Sequence, residues 1–245
     1  MGRFKSKQPP TQPVQFAPSQ PTGACPTRQM GMPPQQQMGP PQQNMHPNGW
    51  QGQYDQKDWP TSFPKPMIGI DRDGVILEWR NMIKRYEDVK YIQGSLEAIR
   101  KLRMKGHKMF MLSDQPNISR GLMKDQDVQN IMNIMMQNFG QHGIFSIDGF
   151  LYNQSDMQQD PYAKPNVGMM NRSKNEMGMD WTGGYYVGDT IEDVKMAIKF
   201  GVTPVLVRTG KGKQTEKDHF KGISNKYEGV QIFDNLLSFV DSLDG

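Results

Sequence analysis

The chain has a single cysteine, Cys25, among 245 residues. No disulfide can form within it, and no cluster of thiolates can be assembled to hold zinc. Long apolar runs are missing as well. No stretch approaches the roughly 20 residues of a membrane-spanning helix, and Met1–Lys7 lacks the apolar core of a secretion signal. These absences lead to the expectation of a cytoplasmic protein with no membrane partner. The first sixty residues are also poor in Leu, Ile and Val, and rich in Pro, Gln, Gly and Met. Such a stretch cannot bury enough apolar surface to offset the entropy of ordering its backbone.

A broad basic face is lacking too. Within residues 1–60, Arg3, Lys5, Lys7, Arg28 and Lys57 stand against Asp55 and Asp58, so most of the net charge of +4 lies in that segment. The remainder is close to neutral and offers no footprint for a phosphate backbone, which disfavours nucleic acid as a partner. The expected organisation is a disordered Pro/Gln/Met-rich tail over 1–62 and one ordered domain over 63–245. Inside the tail, Gly31–Met38 is echoed by Gly39–Met45 as an imperfect low-complexity repeat. The tail reads as a solvated extension, with recruitment of a protein partner as the alternative. Trp50, Tyr54 and Trp59 are its candidate docking residues.

From Met67 onward the pattern becomes strands alternating with helices. Met67–Asp71, Lys108–Leu112, Phe150–Tyr152, Tyr185–Val187 and Val205–Val207 read as short buried strands. Between them, Leu96, Ile99 and Leu102 repeat at helical spacing before Gly106. Val128, Ile131, Met132, Met135 and Phe139 do so before Gly140, the expected helix end. Another helix is expected after Pro165. A last one over Ile191–Phe200 is opened by a Thr190/Asp193 capping box and closed by Gly201. This alternation predicts a doubly wound, Rossmann-like α/β fold, a parallel sheet with helices on both faces. The methionines on these helices read as adaptable core filler.

In such sheets the ligand site lies beyond the carboxyl ends of the strands. The residues there are Asp71-Arg72-Asp73-Gly74, Ser113-Asp114-Gln115 and Gly188-Asp189, with Lys164-Pro165 before the third helix and Asp193 inside the fourth. Each fits a part in phosphoryl transfer. Asp71 is the candidate nucleophile, provided that a cation relieves its repulsion with the phosphate. Mg²⁺ is the expected cofactor, a hard ion that takes oxygen ligands. Asp71, Asp189 and the backbone carbonyl of Asp73 are its candidate ligands, with Asp193 behind them. The Asp73 side chain can protonate the leaving oxygen and later take a proton from water. Ser113 and Lys164 can hold the phosphoryl group.

Taken together, these motifs resemble those of the haloacid dehalogenase superfamily, and Asp73 marks the phosphatase branch. A narrower likeness is to the heptose-bisphosphate and histidinol-phosphate phosphatases, with polynucleotide 3′-phosphatases as cousins. Asp71–Val75 is similar to their opening motif, and Ser113–Gly121 aligns with their Thr-Asn-Gln-Ser-Gly-Ile-Ala-Arg-Gly. Lys164–Met169 matches Lys-Pro-x-x-Gly-Met, and Val205–Gly212 resembles their last strand and loop. The likeness covers Ile68–Gly212. Asp114 departs from the family's Asn and puts a negative charge beside the phosphate pocket, unless Arg72 or Arg120 pairs with it; all three are candidate substrate contacts. The cysteine-rich zinc loop of the heptose enzymes is absent, and Ala163 stands where they carry Arg.

The spacings between the motifs leave no room for a large cap domain. The expectation is therefore an Mg²⁺-dependent phosphomonoesterase acting through an aspartyl-phosphate on a small, sugar-phosphate-like substrate. Two alternatives stay open. One is a phosphatase of nucleic-acid 3′ ends, and the other a degenerate binding module recruited through the tail.

Overall fold

The computed structural model describes residues 65–144, 147–220, 227 and 229–243. The expected tail of residues 1–62, with its repeat and its aromatic residues, lies outside them. The described residues all belong to one unit, Tyr54–Gly245.

Six strands form one sheet: β1 (Ile68–Ile70), β2 (Met109–Asp114), β3 (Gly149–Asn153), β4 (Tyr185–Gly188), β5 (Thr203–Val207) and β6 (Gln231–Phe233). Their order is β3-β2-β1-β4-β5-β6, and every pairing is parallel. The helices between and after them are α1 (Ser95–Met104), α2 (Asp125–Gln141), α3 (Gly168–Asn175), α4 (Ile191–Phe200), α5 (Gly212–His219) and α6 (Leu236–Ser242).

Successive strand residues point to opposite faces of the sheet, and the core divides accordingly. Ile68, Ile70, Met109, Met111, Val187, Val205 and Val207 pack against α1, α2 and α6. Phe110, Leu112 and Tyr186 face the other way, onto Met169 and Met170 of α3 and Met196 and Ala197 of α4. Leu206 joins Ile191 and Val194 beside them. With both faces covered, the strands need to be apolar throughout, which is why they read as unbroken apolar runs. The buried methionines of α2, α3 and α4 fill these layers as expected, whereas Met104 and Met177 are exposed.

One reading needs correction. Gly140 does not end α2, which runs on to Gln141; the residue with positive φ is Gly143. Past Gly212 the chain adds α5, β6 and α6, completing one edge of the sheet. Between β1 and β2 there is only a looped segment with one short 3-10 turn (Tyr86–Asp88) before α1, so no large cap is present among the described residues. No helix among them is long and apolar enough to cross a membrane.

Candidate active site

Strand order reverses direction at β1, the first strand laid down, so β1 and β4 flank the topological switch where a crevice opens above a parallel sheet. Asp71 follows β1, Asp189 follows β4, and Ser113 and Asp114 end β2. These residues line one cleft of about 360 Å³ together with Asp73, Gln115 and Lys164. The strand-end residues read from sequence therefore come together.

Lys164 is the hub. Its side chain is buried, and Nζ stands 2.9 Å from Asp71 Oδ1 and 2.8 Å from Asp193 Oδ1. The ring of Tyr186 lies 5.5 Å from that ammonium. Burial alone would lower the Lys164 pKa, but Asp193 and Asp71 outweigh it and hold the proton firmly. The charges do not balance, however. Burial pushes the Asp71 carboxyl well above the usual range; Lys164 opposes this, and Asp193, Asp189 and Asp73 add to it. Asp189 is pushed up to about 7, by burial first and then by Asp193.

Asp71, Asp189 and Asp193 each bring a carboxylate oxygen into a group whose members all lie within 4.8 Å of one another. Asp189 Oδ2 accepts the Lys211 backbone N–H at 2.7 Å, while its Oδ1 is buried with no partner. A buried carboxylate oxygen without a donor is costly. A hard divalent cation would satisfy it, and the donors are all oxygens, the set Mg²⁺ prefers. The residues fit the ion. Two glycines let the backbone come this close: a Cβ on Gly74 (φ +95) or on Gly210 (φ +54) would lie 2.1 Å from Asp189 Oδ2.

Asp73 sits apart from that group. Arg72 donates to both its oxygens, Nε to Oδ1 at 2.9 Å and Nη2 to Oδ2 at 2.7 Å, and Gln115 Nε2 adds a third bond at 2.9 Å. Gln115 also donates to Ser113 Oγ at 2.8 Å, tying the second motif to the first. Sequence reasoning placed Gln115 at this strand end but gave it no role, which only its contacts with Asp73 and Ser113 supply.

Neither arginine pairs with Asp114. Arg72 is fully buried, does not line the cleft and pairs with Asp73 through Nε and Nη2, leaving Nη1 buried without a partner. Arg120 does line the cleft but pairs with Asp156 at 3.2 Å. Asp114 is held instead by Asn153 Nδ2 at 3.0 Å and by the Lys164 backbone N–H at 3.3 Å. Burial raises its pKa, opposed by Lys164 and Asn153.

Known proteins match this chain in both sequence and shape. The HAD-hydrolase-like family model matches residues 161–238, past Gly212, where the sequence likeness was expected to end. A D-glycero-β-D-manno-heptose-1,7-bisphosphate 7-phosphatase of Haemophilus ducreyi is 30% identical over 160 residues, covering 62% of this chain and 88% of the relative. Its counterpart in Photorhabdus laumondii is 29% identical over 163 residues, covering 62% and 86%. Among solved structures, the D,D-heptose 1,7-bisphosphate phosphatase of B. bronchiseptica, complexed with magnesium and phosphate, superposes with a TM-score of 0.66 at 25% identity. That match covers 73% of this chain and 98% of the other.

Proposed function

The chain belongs to the phosphatases of the haloacid dehalogenase superfamily, and from that premise we propose that it hydrolyses a small, sugar-phosphate-like monoester through a phospho-aspartate on Asp71. The observation that carries this reading is the Lys164 ammonium held between Asp71 and Asp193, beside the unpartnered oxygen of Asp189. An acidic cluster with one buried cation is arranged to take a phosphate together with a divalent metal.

In this reading Asp71, Asp189 and the Asp73 carbonyl hold Mg²⁺, with Asp193 behind them. The ion supplies charge neutralisation for a phosphoryl group meeting a carboxylate. A carboxylate oxygen of Asp71 forms a bond to phosphorus as the ester P–O bond breaks, and Asp73 gives its proton to the leaving oxygen. Asp73 then takes a proton from water, whose oxygen attacks phosphorus and frees Asp71 and inorganic phosphate. Arg72 and Gln115 position Asp73 for both transfers. Ser113 and Lys164 hold the phosphoryl oxygens. The sugar-like leaving group is supported by the heptose-bisphosphate relatives, one of which binds magnesium and phosphate.

The experiment is hydrolysis of an aryl phosphate and of a panel of sugar phosphates, with Mg²⁺ and after chelation. Turnover should vanish with EDTA, return with Mg²⁺, and be absent from a folded Asp71→Asn protein. Comparable kcat in that variant, or full activity after exhaustive chelation, would overturn the reading.

A further inference from the structure

One short turn reaches both halves of the candidate metal site. It joins β5 to α5 through Thr209-Gly210-Lys211, and Arg208 fixes it at its start. The Arg208 N–H donates to the Phe233 carbonyl at 2.9 Å, and its side chain pairs with Glu216 at 2.7 Å and with Asp234 at 2.8 Å. The Gly212 N–H closes the turn on the Thr209 carbonyl at 2.8 Å.

From this turn and the start of α5, three bonds run to the strand ends. Thr209 Oγ1 donates to the Gly74 carbonyl at 2.7 Å, in the loop after β1 that carries Asp71 and Asp73. Thr215 Oγ1 is buried and donates to the Asp189 carbonyl at 2.8 Å, and the Lys211 N–H donates to Asp189 Oδ2 at 2.7 Å. Gly210 passes between the two loops: a Cβ there would lie 2.6 Å from Gly74 Cα and would overlap the Asp189 carboxylate. The loop after β1 is itself closed, with the Gly74 N–H on the Leu77 carbonyl at 2.7 Å and the Leu77 N–H on the Arg72 carbonyl at 2.9 Å. Holding Gly74 therefore holds that loop. Neither threonine lines the cleft, so both act from behind it.

We propose that Thr209 and Thr215 are positioning residues for the divalent ion. Their hydroxyls hold the loop after β1 and the end of β4 at the separation that lets Asp71 and Asp189 share one cation. The inference rests on the metal-dependent phosphatase reading given above and deepens it. A hydroxyl bonded to a carbonyl is short and directional. A methyl group in its place loses the bond and cannot sit as close, so the carbonyl shifts and carries its loop with it. Groups behind metal ligands set affinity by orienting those ligands, and losing one costs about tenfold or more.

The test is calorimetric titration of Mg²⁺ into the full-length chain at about pH 8, where protons compete least for the carboxylates. The Kd for Mg²⁺ should rise about tenfold in Thr215→Val and in Thr209→Val. Serine at either position keeps the hydroxyl and should restore most of the affinity. Ser173→Ala controls for general loosening, because Ser173 Oγ is also buried, donating to the Met170 carbonyl at 2.7 Å and accepting the Trp181 indole N–H at 2.9 Å, but lies on α3 outside the cleft. It should lower Tm and leave the Kd for Mg²⁺ unchanged. With an aryl phosphate, the deficit of the valine variants should be largest at low Mg²⁺ and shrink as the ion is raised. An unchanged Kd in both folded valine variants overturns the positioning role and leaves the phosphatase reading standing, as does equal weakening by Ser173→Ala. Should Thr215→Val fail to fold, Thr209→Val, at a less buried position, decides the matter. A wild-type chain that takes up no Mg²⁺ overturns the metal-dependent reading and the positioning role together.

Discussion

Asp189 concentrates the electrostatic conflict of the site. Its carboxyl is pushed up to about 7 by burial and by Asp193, and one of its oxygens has no donor. A folded-state pKa above the unfolded value of 3.8 means that the bound proton stabilises the metal-free fold. That contribution is fully present below the unfolded pKa and is lost as pH rises through about 7. Mg²⁺ competes with the same proton, so its affinity should climb over this window. Thermal melts with and without Mg²⁺ should show a small metal-induced rise in Tm at about pH 5.5 and a larger one at about pH 8. An equal rise at both would detach Asp189 from the metal. At this scale the sequence was readable where a place in the cleft follows from position at a strand end, as for Asp71, Ser113 and Asp189. It was silent where a role depends on a neighbour in space. Arg72 looked like a substrate contact but turns inward onto Asp73, and Asp114 takes Asn153, 39 residues away, as its partner.

Among the elements, α4 links folding to the site. Thr190 caps it by accepting the Asp193 N–H, and the Asp193 carboxylate returns to the Thr190 N–H at 3.1 Å and hydroxyl at 2.6 Å. The other oxygen of Asp193 faces Lys164. One side chain therefore closes a helix and steadies the buried ammonium. Asp193→Ala removes both functions and leaves Lys164 leaning on Asp71 alone, so it should cost about 3 kcal/mol or more in urea unfolding. Residual turnover should fall with it. A variant of unchanged stability would show that Lys164 is held by other means. The capping box was legible because it is a local pattern, as were the apolar strands, which need no register to be recognised. The end of α2 misled because Gly140 is compatible with a helix interior, and the turn falls at Gly143 instead. The edge of the sheet went unread for a different reason. Strand β6 spans three residues, none fully buried, and α5 buries only Gly212 and Thr215, so neither carries a periodic apolar signal.

For the molecule as a whole, the question is how much of the chain the chemistry needs. The described residues contain three hydrophobic clusters, a complete six-stranded sheet and every candidate catalytic side chain. The chain is already anchored at Pro66, whose carbonyl lies 2.7 Å from His107 Nδ1, just before β1. Residues 1–62 have the composition of a segment that cannot bury a core of its own. A protein beginning at Ser62 should therefore unfold in one cooperative transition and retain kcat within about twofold, since sheet and strand-end residues remain complete. Any contribution of the removed segment would then appear as lost binding to a partner. The decisive comparison adds a second cut placed just before Trp50. If both shortened proteins fold but neither turns over, the segment before Trp50 belongs to the catalytic unit and the boundary is wrong. If only the Ser62 cut is inactive, residues from Trp50 to Trp59 complete the open cleft, and their aromatic side chains become the next to substitute.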